Sequence, residues 1–216
     1  MKTFKEFPNF VCVDHPLIQH KLTLMREEQC RSFGFRSMLK EISMLIGYEI
    51  SRNMPLTTRQ IKTPVAPMEA PTLNVPDPCI VPVLRAGLGM AEGLLELIPT
   101  AQVGHIGVYR DHATKQPIEY LVRLPKNVGQ PFYVVDPMLA TGNSLAHVCD
   151  VLIRYGIVPE KISVMSLVAA PEGVRAFSAQ HPKIKIYCAA LDEKLNAQAY
   201  IVPGLGDAGD RLFGTL

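Results

Sequence analysis

Phe132-Tyr133-Val134-Val135-Asp136-Pro137-Met138-Leu139-Ala140-Thr141-Gly142-Asn143-Ser144 reads as a buried strand, a loop of small residues and the first turn of a helix. The helix declares itself downstream, where Leu145, Val148, Cys149, Leu152 and Ile153 are apolar at helical spacing and Gly156 is placed to end it. Thr141 to Ser144 bring two hydroxyls, a glycine and an amide to a helix start, where unpaired N–H groups and the helix dipole favour an anion. Asp136 ends the strand on the same side, so a carboxylate stands beside the expected phosphate, a pairing that suits a sugar phosphate with hydroxyls to share. An ordinary helix cap is the plainer reading of Thr141 and Ser144. The chain contains no G-x-x-x-x-G-K-[ST] and no G-x-G-x-x-G after a strand, which sets aside P-loop and dinucleotide chemistry.

Upstream, Cys79-Ile80-Val81-Pro82-Val83-Leu84 is a second apolar strand, and it leads through Arg85-Ala86-Gly87-Leu88-Gly89-Met90 into a helix ending near Ile98. A guanidinium and close-approaching backbone N–H groups at a strand end make a second phosphate loop, with a plain tight turn as the alternative. His105 to Tyr109 is a further strand candidate that delivers Arg110-Asp111-His112, and Glu119 to Leu124 returns from the polar run behind it. That pair reads as a hairpin. Its charged tip suits a lid that keeps water from a glycosyl cation, or simply a solvated surface loop.

Downstream, Lys161 to Ala169 is a strand, Pro171 opens a helix to about His181, and Ile184 to Ala189 is another strand. The alternation predicts an α/β fold, a mainly parallel sheet flanked by helices, with ligands at the carboxyl ends of its strands. Arg85, Arg110 and Asp136 all fall at such ends. The segment from Ala199 to Thr215 is too rich in glycine and acid to read as core; it reads as a binding loop for a flat ligand, with a tail packed over the sheet as the alternative. Its Asp-x-Asp spacing is not that of an EF-hand.

Nearer the start, His15 to Thr23 reads as a peripheral helix, and Phe35, Met38, Leu39, Ile42, Leu45 and Ile46 form the apolar face of another that Asn53-Met54-Pro55 breaks. Five prolines between 64 and 78 predict extended, turn-rich chain. The 216 residues suit a single domain, 1–216, and 48% hydrophobic with 19% charged residues is a globular balance. A net charge of +2 leaves no footprint for nucleic acid or a membrane surface, so the expected partner is a small molecule. Five widely spaced cysteines read as reduced thiols, and with neither a signal peptide nor a membrane-length apolar run they place the chain in the cytoplasm.

Val134 to Ser144 resembles the phosphoribosyl-diphosphate motif of the phosphoribosyltransferases, and Asp136-Pro137-Met138-Leu139-Ala140-Thr141-Gly142 is similar to its uracil branch. That branch has Asp-Pro where most of the family carries two adjacent acidic residues. This chain departs from it at Asn143, where a second glycine is usual; asparagine tolerates positive φ, so the loop is expected to survive with an added side chain near the 5′-phosphate. The text from His15 to Pro64 resembles the family's N-terminal arm, Arg85 to Met90 its pyrophosphate loop, and Ala199 to Thr215 its uracil loop.

The resemblance implies a type I phosphoribosyltransferase-like fold with a hairpin lid and an N-terminal helical arm, and transfer of a phosphoribosyl group from its diphosphate to uracil. It implies Arg85, Asp136 and Asp207 as catalytic residues. Phosphoribosyl diphosphate is expected on Arg85, Arg110, Asp136, Pro137, Met138, Leu139, Ala140, Thr141, Gly142, Asn143, Ser144 and Asp207, and uracil on Ile201, Gly206, Asp207 and Ala208. His112 and Lys115 are not carried over. Mg²⁺ would ride on the substrate and water without a protein cage, a homo-oligomer is implied, and an effector such as GTP occurs in the family. The alternatives are a phosphoribosyltransferase for another base and a catalytically weakened, nucleotide-sensing homologue, to which Asn143 would point.

Overall fold

The computed structural model describes residues 1–110 and 117–215. Its strands are β1 (Lys2–Phe4), β2 (Phe7–Cys12), β3 (Leu56–Lys62), β4 (Pro67–Leu73), β5 (Cys79–Pro82), β6 (Gln102–Val103), β7 (His105–Arg110), β8 (Pro117–Arg123), β9 (Phe132–Val135), β10 (Met138–Leu139), β11 (Ile162–Ala169), β12 (Lys185–Leu191), β13 (Lys194–Leu195) and β14 (Ile201–Val202). Its helices are α1 (Pro16–Arg26), α2 (Ser32–Ile50), α3 (Gly87–Leu97), α4 (Asn143–Arg154), α5 (Pro171–Gln180) and α6 (Ala208–Phe213).

The apolar run at 132–135 forms β9, all four residues buried. Successive side chains on a strand point to opposite faces. Phe132 and Val134 therefore pack with Leu145, Cys149 and Phe177 from α4 and α5. Tyr133 and Val135 pack with Phe35, Met90 and Leu212 from α2, α3 and α6. Burial of this kind, at ~25 cal/mol per Å² of apolar surface, drives the assembly of three layers.

The sheet is eight-stranded in the order β1-β2-β12-β11-β9-β5-β6, with β10 added against β11. All its pairings are parallel except β1 with β2. The mainly parallel sheet flanked by helices is thus the architecture that the alternation predicts.

At four places the structure changes or fills in the sequence reading. The edge pair β1 and β2 was not foreseen; β2 joins β12 through Phe10↔Ile186 and Cys12↔Cys188, partners that only the folded chain brings together. The hairpin read from sequence is present as β7 with β8, but it stands apart from the main sheet, so Arg110 ends a hairpin strand rather than a strand of that sheet. α1 is less peripheral than its sequence suggests, for Ile18, Leu22 and Met25 are buried. The prolines of 64–78 lie in and after a second hairpin, β3 with β4, which runs in register from Leu56↔Leu73 to Lys62↔Pro67 with most side chains exposed.

Candidate functional site

The stretch after β9 is held as an extension of the sheet. Asp136 donates its N–H to the Met165 carbonyl at 3.1 Å, and the Pro137 carbonyl accepts from Leu167 and Val168 at 3.0 and 3.1 Å. Met138 and Leu139 then pair in parallel with Val168 and Ala169. Ala140 rests on α5 so closely that a Cβ on Gly173 would lie 2.0 Å from its carbonyl oxygen. Gly142 caps α4 with φ +84, a left-handed backbone that glycine adopts without strain, and offers no side chain to the helix. The N–H groups of the first turn of α4 are thereby left for a ligand, with Thr141, Asn143 and Ser144 exposed around them. Asn143 is the first residue of the helix, and among the described residues only Ala199 is a non-glycine at positive φ. The left-handed turn falls to Gly142, so the departure at Asn143 demands no unusual backbone.

The second loop starts where β5 ends. Val83 donates to the Val135 carbonyl at 2.9 Å, which ties the turn to β9, and Gly87 donates to the Val83 carbonyl at 2.9 Å as α3 begins. The Leu84–Arg85 peptide between them is cis. The Arg85 side chain is 60% exposed and reaches Asp210 at 3.5 Å, a loose contact that leaves its donors available to an anion. Its guanidinium also lies over the Phe213 ring, 5.6 Å from the centroid.

The third wall is the glycine- and acid-rich segment. It is not merely a surface loop: Ile201, Leu205, Ala208 and Leu212 are buried in the core, which corrects the reading from composition. Asp207 caps α6, its carboxylate accepting the Asp210 N–H at 2.9 Å. Arg211 turns inward, donating to the carbonyls of Leu205 and Glu27 at 2.8 and 2.6 Å with its guanidinium over Phe35. Arg36 donates to the Leu212 carbonyl at 3.0 Å. The segment is therefore fastened to the N-terminal helices.

These walls enclose a cleft of about 310 Å³. Of the residues expected from sequence, Arg85, Asp136, Met138, Asp207 and Ala208 line it together, joined by Leu84 and Gly209, which were not foreseen. Pro137, Leu139, Ala140, Thr141, Gly142, Asn143 and Ser144 continue from Asp136 along the loop and do not line the cleft itself. Ile201 and Gly206 do not line it either, and the Ile201 side chain is in the core, which leaves only its backbone to face a ligand. The Arg110 side chain, with Asp111, His112 and Lys115, lies outside the described residues. The hairpin that carries Arg110 is tied to α4: Glu119 of β8 takes an ion pair from Arg154 and faces His147 at 3.3 Å.

The electrostatics are divided. Burial pushes the Asp136 carboxyl up to about 7; the Met138 N–H that it accepts at 3.1 Å opposes the shift, and the Asp207 carboxylate across the cleft adds to it. A carboxyl so placed gains from hydroxyl donors that favour its ionised form. Two carboxylates, a loosely held guanidinium and an open helix N-terminus suit a ligand that is polyanionic at its ends and hydroxylated between. Among the described residues no group of three or more His, Cys, Asp or Glu could hold a metal ion, and no helix is long and apolar enough to cross a membrane.

Sequence reasoning missed Gly173, whose lack of a side chain seats the loop at Ala140. It also missed Asp192, although Asp192 follows β12 as Asp136 follows β9, and the strand-end rule would have found it.

A family model described as uracil phosphoribosyltransferase matches residues 12–215. A uracil phosphoribosyltransferase of Rhodospirillum centenum is 60% identical over 215 residues, covering 100% of both chains. One from Paraburkholderia phymatum is 57% identical over 209 residues, 97% of this chain and 96% of that one. The solved structure of the AQ2163 protein from Aquifex aeolicus superposes with a TM-score of 0.87 at 33% identity, over 95% of this chain and 98% of that one.

Proposed function

From the premise that this chain belongs to the uracil phosphoribosyltransferase family, we propose that it transfers the phosphoribosyl group of 5-phospho-α-D-ribose 1-diphosphate to uracil, releasing UMP and pyrophosphate in pyrimidine salvage. The observation that carries the reading is the meeting of Arg85, Asp136, Asp207 and Ala208, drawn from loops far apart in sequence, in one cleft beside an open helix N-terminus.

In this reading the 5′-phosphate sits on the N–H groups at 141–144 and the ribose hydroxyls donate to Asp136, drawing it into its ionised form at neutral pH. Arg85 and Arg110 hold the diphosphate. Uracil lies on the backbone of Ile201 and Gly206 and against Ala208, with Asp207 on the diphosphate side. The bond from the anomeric carbon to the diphosphate oxygen breaks with its electron pair leaving on pyrophosphate, the bond to the base nitrogen forms, and that nitrogen's proton passes to water. No side chain is assigned as general base. The rate comes from alignment of the reactants and from cations set where the departing charge accumulates.

Mg²⁺ fits this donor set as a substrate-borne ion: Asp136 and Asp207 are the carboxylates in the cleft able to face it, and it would neutralise charge on the diphosphate oxygens while keeping several waters. Residues 1–216 work as one domain in this reading, in the cytoplasm and as a homo-oligomer. The exposed Leu56, Val65, Met68 and Leu73 of the β3–β4 hairpin support the oligomer, since a lone hairpin with apolar side chains in water is marginal.

The test is conversion of labelled uracil with phosphoribosyl diphosphate and Mg²⁺, beside cytosine, adenine, hypoxanthine and guanine, with and without GTP. UMP from uracil alone is expected. Product from another base refutes the specificity, and no product refutes the activity; a GTP-dependent rate would identify the effector that the family implies.

A further inference from the structure

We propose that Arg26 and Asp192 form a clamp that positions the base loop and thereby sets the affinity for the base without governing that for the diphosphate substrate. The inference rests on the reading of residues 199–215 as that loop.

Asp192 follows the carboxyl end of β12, and its side chain is only 5% exposed; Arg26, the last residue of α1, meets it with 23% exposure. The pairing is a fork: Nη1 donates to Oδ2 at 2.8 Å and Nη2 to Oδ1 at 2.6 Å. Both residues then turn to the same glycine. Asp192 Oδ2 accepts the Gly204 N–H at 2.9 Å, and Arg26 Nη1 donates to the Gly204 carbonyl at 2.6 Å. Both backbone groups of Gly204 are thus fixed by one ion pair. Around it, Leu195 pairs with Ile201, and Glu193 donates to the Val202 carbonyl at 2.9 Å.

Gly204 stands between Ile201 and the run from Gly206 to Ala208, so the clamp fixes the part of the loop that offers backbone groups to a flat ligand. Neither Arg26 nor Asp192 lines the cleft. They are positioning residues. A surface ion pair contributes little, but this one is mostly withdrawn from water and satisfies main-chain groups. A lysine ammonium at 26 keeps the charge and cannot reproduce the planar fork.

The experiment compares Asp192→Asn, Arg26→Lys and Arg26→Gln with the wild type in steady-state kinetics for both substrates, with thermal midpoints alongside. Asp192→Asn is expected to raise the KM for uracil about tenfold, the loss of one charged hydrogen bond, while kcat stays within about threefold and the KM for phosphoribosyl diphosphate within about twofold. Arg26→Lys should recover part of the uracil KM lost in Arg26→Gln, and it serves where Asp192→Asn folds poorly. An unchanged uracil KM in folded Asp192→Asn or in Arg26→Gln overturns the clamp. So does an equal rise in both KM values, or a fall in kcat alone, which marks a merely structural pair. A wild type that does not turn over uracil overturns the functional reading and the clamp with it, whereas an active wild type with unmoved variants overturns the clamp alone.

Discussion

Gly173→Ala tests whether the seat of the phosphate loop controls catalysis. Gly173 is buried in the first turn of α5, and a Cβ there would stand 2.0 Å from the Ala140 carbonyl oxygen and 2.8 Å from its carbon, where real Cβ atoms essentially never come within 3.0 Å. Helix and loop must therefore part by about 1 Å. Leu139 cannot easily give way, because it pairs with Ala169 in the sheet and accepts the Ala170 N–H at 3.0 Å. The displacement is passed to Ala140 and onward to the donors at 141–144. A shift of about 1 Å in groups that align a reacting substrate can cost on the order of 100-fold in rate. The stability cost is smaller: overpacking takes about 1–3 kcal/mol, and the gain of ~1 kcal/mol in helix propensity offsets part of it. Steady-state kinetics with phosphoribosyl diphosphate as the varied substrate, and a thermal melt on the same preparation, measure both. The expected variant is folded and poorly active. Wild-type kcat/KM in a folded Gly173→Ala would refute the reasoning.

Arg85→Ala should lower kcat/KM by about 100-fold while changing stability by less than about 1 kcal/mol, since its contact with Asp210 is exposed and loose; near-normal turnover would remove Arg85 from the diphosphate site. Asp136 has a pKa raised from 3.8 to about 7, so the fold disfavours its ionised form: its contribution to stability is complete below about pH 4 and is lost as the pH rises to about 7. Asp136→Asn should therefore gain in melting temperature over the wild type across that interval, with a constant difference above it, and a pH-independent difference would contradict the buried carboxyl. Asn143→Gly should leave turnover within about twofold, because Gly142 already makes the left-handed turn; a large gain in rate would restore the case for a weakened, regulatory protein.

Where local pattern and burial coincide, the sequence is legible. β9 and α4 follow from an apolar run and a helical stripe, and β5, α3, β11, α5 and β12 follow in the same way. That Arg85 and Asp136 line one cleft was legible because parallel sheets place clefts at strand ends, a rule that needs only the order of elements. Other features depend on partners far away in the chain. β2 is a strand because β12 accepts it, and Arg110 lies off the main sheet because β6 stops after two residues and Gly104 donates to Ile80 as the chain turns away. The burial of the C-terminal segment did leave a trace: Ile201, Leu205, Ala208 and Leu212 recur at intervals of four, three and four, masked by the glycines and acids between them. No spacing could have revealed that Gly173 faces Ala140, since the contact joins a helix to a loop.

The bonds that fasten the segment at 192–212 join residues 166 to 184 positions apart, through Arg26, Arg36 and Arg211. The wall that holds Asp136 is built otherwise, from β9, the loop at 136–142, α4 and β11, which follow one another along the chain. Closing so wide a loop in the chain is slow and entropically costly, so the two halves mature at different times. The contacts of the loop at 136–142 are with β11 and α5, which follow it directly, whereas α1 and α2 find their partners only at residues 192–212. The wall made by residues 201–212 is therefore the last part of the cleft that the emerging chain can complete.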